Sequence, residues 1–324
     1  YQRDVLARAP QRFAAYRAIR ELALEQGDEA TGFRAEAVLE GLEESTEAES
    51  YFYKQRRPRF ATAPDKPLDS GSRELLYPDL AETAAQLMAA IDPELGRVFP
   101  VDLARYGAHP DEPPTSLIEE ASRAARVLGV ERYSLRVAAS RVAPAVELGE
   151  EPTLVLPRSL GDALSSEQAF VCGALFAQVA FGGVAAGLGR LDALSDAQLT
   201  TLLEAAAAIA KGQGPADDPM AADLHRRLDE ALPSDVRLEI EDLSHALDGP
   251  LSGSAVRRRL LRASVRAGLL CAGDPAVAVR AMRTYATMFG APVTHGLPDA
   301  CITALPFAVS GQMTMMPGGR GGNP

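Results

Sequence analysis

The sequence predicts a mostly helical α+β chain carrying a small sheet of about three strands. Three patterns support this. Apolar residues recur at helical spacing across residues 13–52. Short segments between 133 and 156 alternate with period two or run apolar throughout. From 165 onward the helical period returns, punctuated by helix-capping residues. At 324 residues and 47% hydrophobic, the chain can bury a sizeable core.

Phe13, Tyr16, Ile19, Leu22 and Ala23 mark the first helix, which Gln26-Gly27-Asp28 stops. Phe33, Ala37, Val38, Gly41 and Leu42 share a face of the second. A third runs from near Ser45 through Ala48 to Tyr51 and Phe52. Two short helices joined by a Gly-Asp turn, then a third, resemble a tetratricopeptide (TPR) unit. An ordinary helical hairpin is the alternative. So short an array needs repeats before Tyr1, or support from the rest of the chain.

Residues 54–72 read as a linker: Lys54-Gln55-Arg56-Arg57-Pro58-Arg59, then Pro64, Pro67 and Gly71. Ala84, Leu87, Met88 and Ile91 form a connecting helix. Pro100 and a Pro-rich loop over 107–114 close this part. The expected organisation is therefore 1–53 helical, 54–114 linker and connecting helix, 115–310 the main domain, and 311–324 a tail unable to pack.

Ser116-Leu117-Ile118-Glu119 reads as a capping box for a helix ending at Gly129. Tyr133-Ser134-Leu135-Arg136-Val137, Ala145-Val146-Glu147-Leu148 and Thr153-Leu154-Val155-Leu156 are the three strands. Pro144 confines the second to an edge or a strand start. Further capping boxes stand at Ser165…Gln168 and Ser195…Gln198. Leu199, Leu202, Leu203 and Ile209 face one way on the helix after Ser195. Asp274-Pro275 supplies N-cap and N1 of a late helix.

The strand Pro152-Thr153-Leu154-Val155-Leu156-Pro157 leads into a helix over 165–178, and a second helix follows over 261–270. This order resembles the gluzincin metallopeptidases of the HtpX and CAAX-prenyl-protease type over residues 115 to 290. In that family the first helix carries H-E-x-x-H and the second E-x-x-x-D. Registered on those motifs, the positions here are Ala174, Leu175, Phe176, Ala177 and Gln178, then Leu261 and Val265. The resemblance implies a zincin-like fold emptied of its ligands, such as the module at the C-terminus of large bacterial TPR proteins. Zinc needs converging N, S or O donors and hydrolysis needs a base, so no metal, cofactor or catalytic residue is expected.

The acidic balance, −11, disfavours nucleic acid. No two histidines have the spacing of a helical metal site. Ser264 and Ser310 lack a nucleophile-elbow context. Three widely spaced cysteines fit buried thiols in a reducing, cytoplasmic setting. Tyr1 in place of methionine suggests a segment of a longer chain. Residues 169–189 carry no charge and are long enough to span a bilayer. Their Ala and Gly content, Gln178 and the Gly182-Gly183 pair favour a buried central helix.

These readings converge on a non-catalytic protein-interaction or scaffold module. A hydrolase with an unrecognised site and a membrane-associated assembly factor are the alternatives. The partner-binding candidates are Tyr16, Tyr51, Phe52 and Tyr53, with Arg56, Arg57 and Arg59 suited to an acidic protein partner.

Overall fold

Asp28, free to accept from the amide of Thr31, starts α3 (Glu29–Leu42) directly after α2 (Phe13–Glu25) ends. The two form a hairpin, with a short α1 (Gln2–Arg8) ahead of it. Thr46 and Glu49 then make a reciprocal capping box for α4 (Glu47–Phe60). The computed structural model describes residues 2–109, 113–138, 143–149, 151–215, 217–247, 249–310 and 312–313.

Residues 54–60, expected in the linker, are instead the last two turns of α4, with Pro58 inside the helix. Part of the remaining linker folds as α5 (Ser70–Leu76), capped by Asp69. The connecting helix is α6 (Thr83–Ile91), followed by the single turn α7 (Leu95–Val98). After β1 (Ala108–His109) comes α8 (Thr115–Leu128), which Gly129 stops at φ 73°. Its N-cap is Pro114 rather than Ser116, so the expected capping box does not form.

β2 (Ser134–Ala138), β3 (Ala145–Glu147) and β4 (Thr153–Pro157) are the three expected strands. With two-residue β1 they make one sheet in the order β1-β2-β4-β3. β4 is buried along its length and pairs parallel with β2 and antiparallel with β3. β3 begins directly after Pro144 and is the edge strand, where a missing N–H is tolerated.

The rest is helical: α9 (Ser165–Ala180), α10 (Asp196–Ala210), α11 (Pro219–Ala231), α12 (Ser234–His245), α13 (Gly253–Ala272) and α14 (Pro275–Thr284). A small hairpin of β5 (Pro292–Thr294) and β6 (Leu297–Pro298) precedes α15 (Asp299–Ala304). The Ser195 capping box forms as expected, but α9 is capped by Leu164 with no side-chain bond. Gln168 instead donates to the carbonyls of Leu160, Gly161 and Ala163, tying down the turn before its own helix. Among the described residues no helix is long and apolar enough to cross a membrane. Within 169–189, α9 ends at Ala180 and the chain turns through Gly182 at φ 60°. Met313, expected in a tail that does not pack, is buried; residues 314–324 lie outside the described residues.

The N-terminal helices are supported by the body of the chain. α3 packs on α14, and Asp274, the buried N-cap of α14, anchors α4. Its Oδ2 accepts from the Tyr53 hydroxyl at 2.8 Å and from Arg57 Nε at 2.7 Å, while Oδ1 accepts from the amide of Ala276 at 3.1 Å. Removing that carboxylate strands three donors, two of them buried. Asp274→Ala should cost about 3 kcal/mol in urea unfolding. A loss below about 1 kcal/mol would mean that the contact with α14 does not need it.

A second buried acid, Asp92, accepts from the amides of Val184 at 3.0 Å and Ala185 at 3.0 Å, holding the turn after α9. Burial pushes its pKa up from 3.8 to about 6, against the pull of the two amides and Arg190. Between those pH values the folded chain binds the proton more tightly than the unfolded chain. Stability should therefore fall as pH rises from about 4 to about 6 and level off above that, a change of about 3 kcal/mol. Urea titrations of the wild type and Asp92→Asn across this range check it: the variant should lack that component of the slope.

Candidate functional site

The helix pair on which the metallopeptidase motifs register, α9 and α13, lies at the centre of the molecule. Every residue of α9 from Gln168 to Gln178 is buried. Two glycines permit a close approach. A Cβ on Gly173 would lie 2.7 Å from Cβ of Cys271 and 3.1 Å from the carbonyl oxygen of Ala267. A Cβ on Gly268 would lie 2.8 Å from both the ring and the carbonyl oxygen of Phe170. Real Cβ atoms do not come that close, so larger residues at either site would force the helices apart.

Ala174, Leu175, Gln178, Leu261 and Val265 are all buried. Only Gln178 carries a polar group, and its Oε1 lies directly against Gly187. Phe176 is fully buried and meets the edge of Tyr133 at 4.8 Å between ring centres. Four of the five positions are aliphatic and offer no donor to a metal. Among the described residues, no three His, Cys, Asp or Glu side chains come together as a ligand set.

The other nucleophile and ligand candidates are scattered. Ser264 donates to the carbonyl of Leu260 at 2.9 Å, and Ser310 to that of Phe307 at 2.7 Å, so both hydroxyl protons are engaged locally. Burial pushes the thiols of Cys172 and Cys301 well above their ordinary range, and that of Cys271 up to about 12. His225 faces the carbonyl of Gln213 at 3.2 Å, His245 ends α12, and His295 stacks edge-on against Phe13 at 5.0 Å.

The partner-binding candidates divide. Tyr16 and Tyr53 are buried and present no surface to a partner. Tyr16 fills the core beneath α2, its hydroxyl buried without a hydrogen-bond partner. Tyr53 stacks on Phe33 and bonds Asp274; burial, reinforced by that carboxylate, pushes its pKa up. Arg57 also binds Asp274. Of the rest, Tyr51 and Arg59 are exposed on α4, while Phe52 and Arg56 are half-buried. Tyr51 is 63% exposed and accepts from Gln55 Nε2 at 2.6 Å. The Arg56 guanidinium stands 4.0 Å over the Phe52 ring, and Arg59 pairs with Glu29 at 2.9 Å.

One polar cluster was not anticipated. Glu147, on edge strand β3, accepts from Arg190 Nε at 2.7 Å through Oε2 and from the Tyr106 hydroxyl through Oε1. Tyr106 in turn accepts from the amide of Leu191 at 2.9 Å. All three side chains are buried beside a cavity of about 220 Å³, with the Arg105–Asp192 pair at its rim. Burial first, then Glu147, pushes the Tyr106 hydroxyl above its ordinary range. Both carboxylate oxygens are engaged, so the cluster holds β3 to the segment after α9 and presents no free base. The signal available in the sequence was a carboxylate in an otherwise apolar strand.

No family model, curated protein or solved structure matches this chain.

Phe176→Asp would place an unpaired charge in the core beside Tyr133 and should cost roughly 3 kcal/mol or more. Circular dichroism and urea unfolding of that variant measure it. A fully stable variant would place Phe176 at a surface.

Proposed function

We propose that this chain is a non-catalytic protein-interaction module. Its N-terminal TPR-like helices precede an emptied zincin-like domain in which α9 and α13 stand where a metal centre would be. The register of Ala174, Leu175, Gln178, Leu261 and Val265 on the gluzincin motifs supports that reading. So does the apolar packing through which those residues serve the fold.

The observation that carries the interaction itself is the outer face of α4. Tyr51 and Phe52 lie beside Lys54, Arg56 and Arg59, while the buried side of the same helix is taken up by Glu49, Tyr53 and Phe60. Exposed aromatic area next to arginine suits a protein partner. A basic face on a chain of net charge −11 suits an acidic segment of that partner. The site is therefore the exposed side of α4, because Tyr16 and Tyr53 are used in the core.

A photo-crosslinking residue placed at Tyr51 tests this in native extract. The proposal expects a discrete adduct with an acidic protein, diminished by added salt and by Arg56→Glu. Tyr51 is exposed and Arg56 half-buried, so thermal stability should fall by no more than about 1 kcal/mol. Recovery of uncrosslinked monomer alone would remove the basis for the interaction reading.

A further inference from the structure

Arg262 and Arg266 lie one turn apart on α13 and line the same cavity as Arg3 of α1. The cavity measures about 390 Å³, and Leu6, Pro306 and Phe307 supply its apolar wall. Among the described residues no aspartate or glutamate lines it. None of the three arginines makes an ion pair with a described residue. The Nε–H groups of Arg262 and Arg266 are buried and meet no acceptor. Arg266 makes a single long bond, Nη1 to the carbonyl of Leu76 at 3.3 Å, and its guanidinium stands 5.7 Å from the Phe307 ring centre.

Three other arginines with little exposed surface each meet a carboxylate. Arg190 has Glu147, Arg257 has Asp196, and Arg20 has Glu36. Arg266 feels Asp79, but that carboxylate lies 3.8 Å from Arg259. Burial first and Arg262 second push Arg266 below the usual guanidinium range. A guanidinium keeps its proton in proteins, so the repulsion is not relieved by ionisation. Three cations gathered without a counter-charge, with two buried N–H groups unmet, are costly unless an anion supplies the acceptors.

We propose that this cavity binds an organic phosphate, its phosphoryl oxygens held by Arg3, Arg262 and Arg266 and its apolar body lying against Leu6, Pro306 and Phe307. The volume falls in the range of small-molecule sites. Three guanidinium forks offer more donors than the two oxygens of a carboxylate take up, and a phosphate dianion matches them better. The inference is independent of the α4 face.

Isothermal titration of the full chain with phenyl phosphate at low ionic strength tests it. The expected dissociation constant is below about 1 mM, weakened about tenfold or more by Arg262→Gln and by Arg3→Gln. Arg3 is exposed, so its variant should keep the wild-type unfolding midpoint and separate lost binding from lost folding. Inorganic phosphate and benzoate should each bind more weakly than phenyl phosphate. No saturable heat up to about 10 mM, or affinity unchanged in both variants, would overturn the site. Inorganic phosphate binding as tightly as phenyl phosphate would overturn the assignment of the apolar wall.

Discussion

The close packing of α9 against α13 constrains everything around it. Gly173 and Gly268 let the two backbones meet at distances that no side chain would permit. Once they meet, α9 is enclosed by α8, α13, α14 and the edge strand β3, and its middle has no exposed face. That is why a helix with four alanines, poor in intrinsic amphipathicity, forms here: burial on all sides replaces the usual division into apolar and polar faces. The same packing brings Leu261 and Val265 into the core, where a metal centre would need polar donors and room.

Around that pair, three buried carboxylates fasten segments that packing alone leaves loosely placed. Asp274 joins α4 to the start of α14, Asp92 holds the turn after α9, and Glu147 joins β3 to Tyr106 and Arg190. Each meets two or more donors, which is what a buried charge requires. An ionic network also binds the first helices to one another. Arg20 bridges Glu36 at 2.6 Å and Glu49 at 2.8 Å, and Ser45 donates to Glu36 at 2.6 Å. Burial opposes ionisation of Glu49, but the Thr46 amide and Arg17 prevail and hold it down to about 2. The N-terminal helices are thus tied to one another by this network and to the rest of the chain through Asp274.

Periodicity made the principal elements legible: Phe13 to Ala23, the three strands, Leu199 to Ile209, and the Asp274-Pro275 start of α14. Local rules failed where tertiary contacts outweighed them. Ser116 and Ser165 stand in good capping sequences, yet Pro114 and Leu164 take the N-cap positions; at α9, Gln168 is used by the carbonyls of the preceding turn. Lys54 to Arg59 read as linker from its charge and Pro58, yet the segment stays helical, with Tyr53 and Arg57 held on Asp274. Tyr53 and Asp274 are 221 positions apart, so nothing local distinguishes a buried Tyr53 from an exposed Tyr51. The arginines of the Arg3 cavity were illegible for the same reason: α1 and α13 meet only in the folded chain.

The α9–α13 pair is the structural core on which the chain's folding depends. Native-state hydrogen exchange tests it most directly. Amides over 169–178 and 261–271 should exchange only through global unfolding, with protection matching the stability from denaturant titration. Exchange of those amides through a local opening well below the global free energy would contradict it. It would show that the pair separates within the native state, as a functional cleft would.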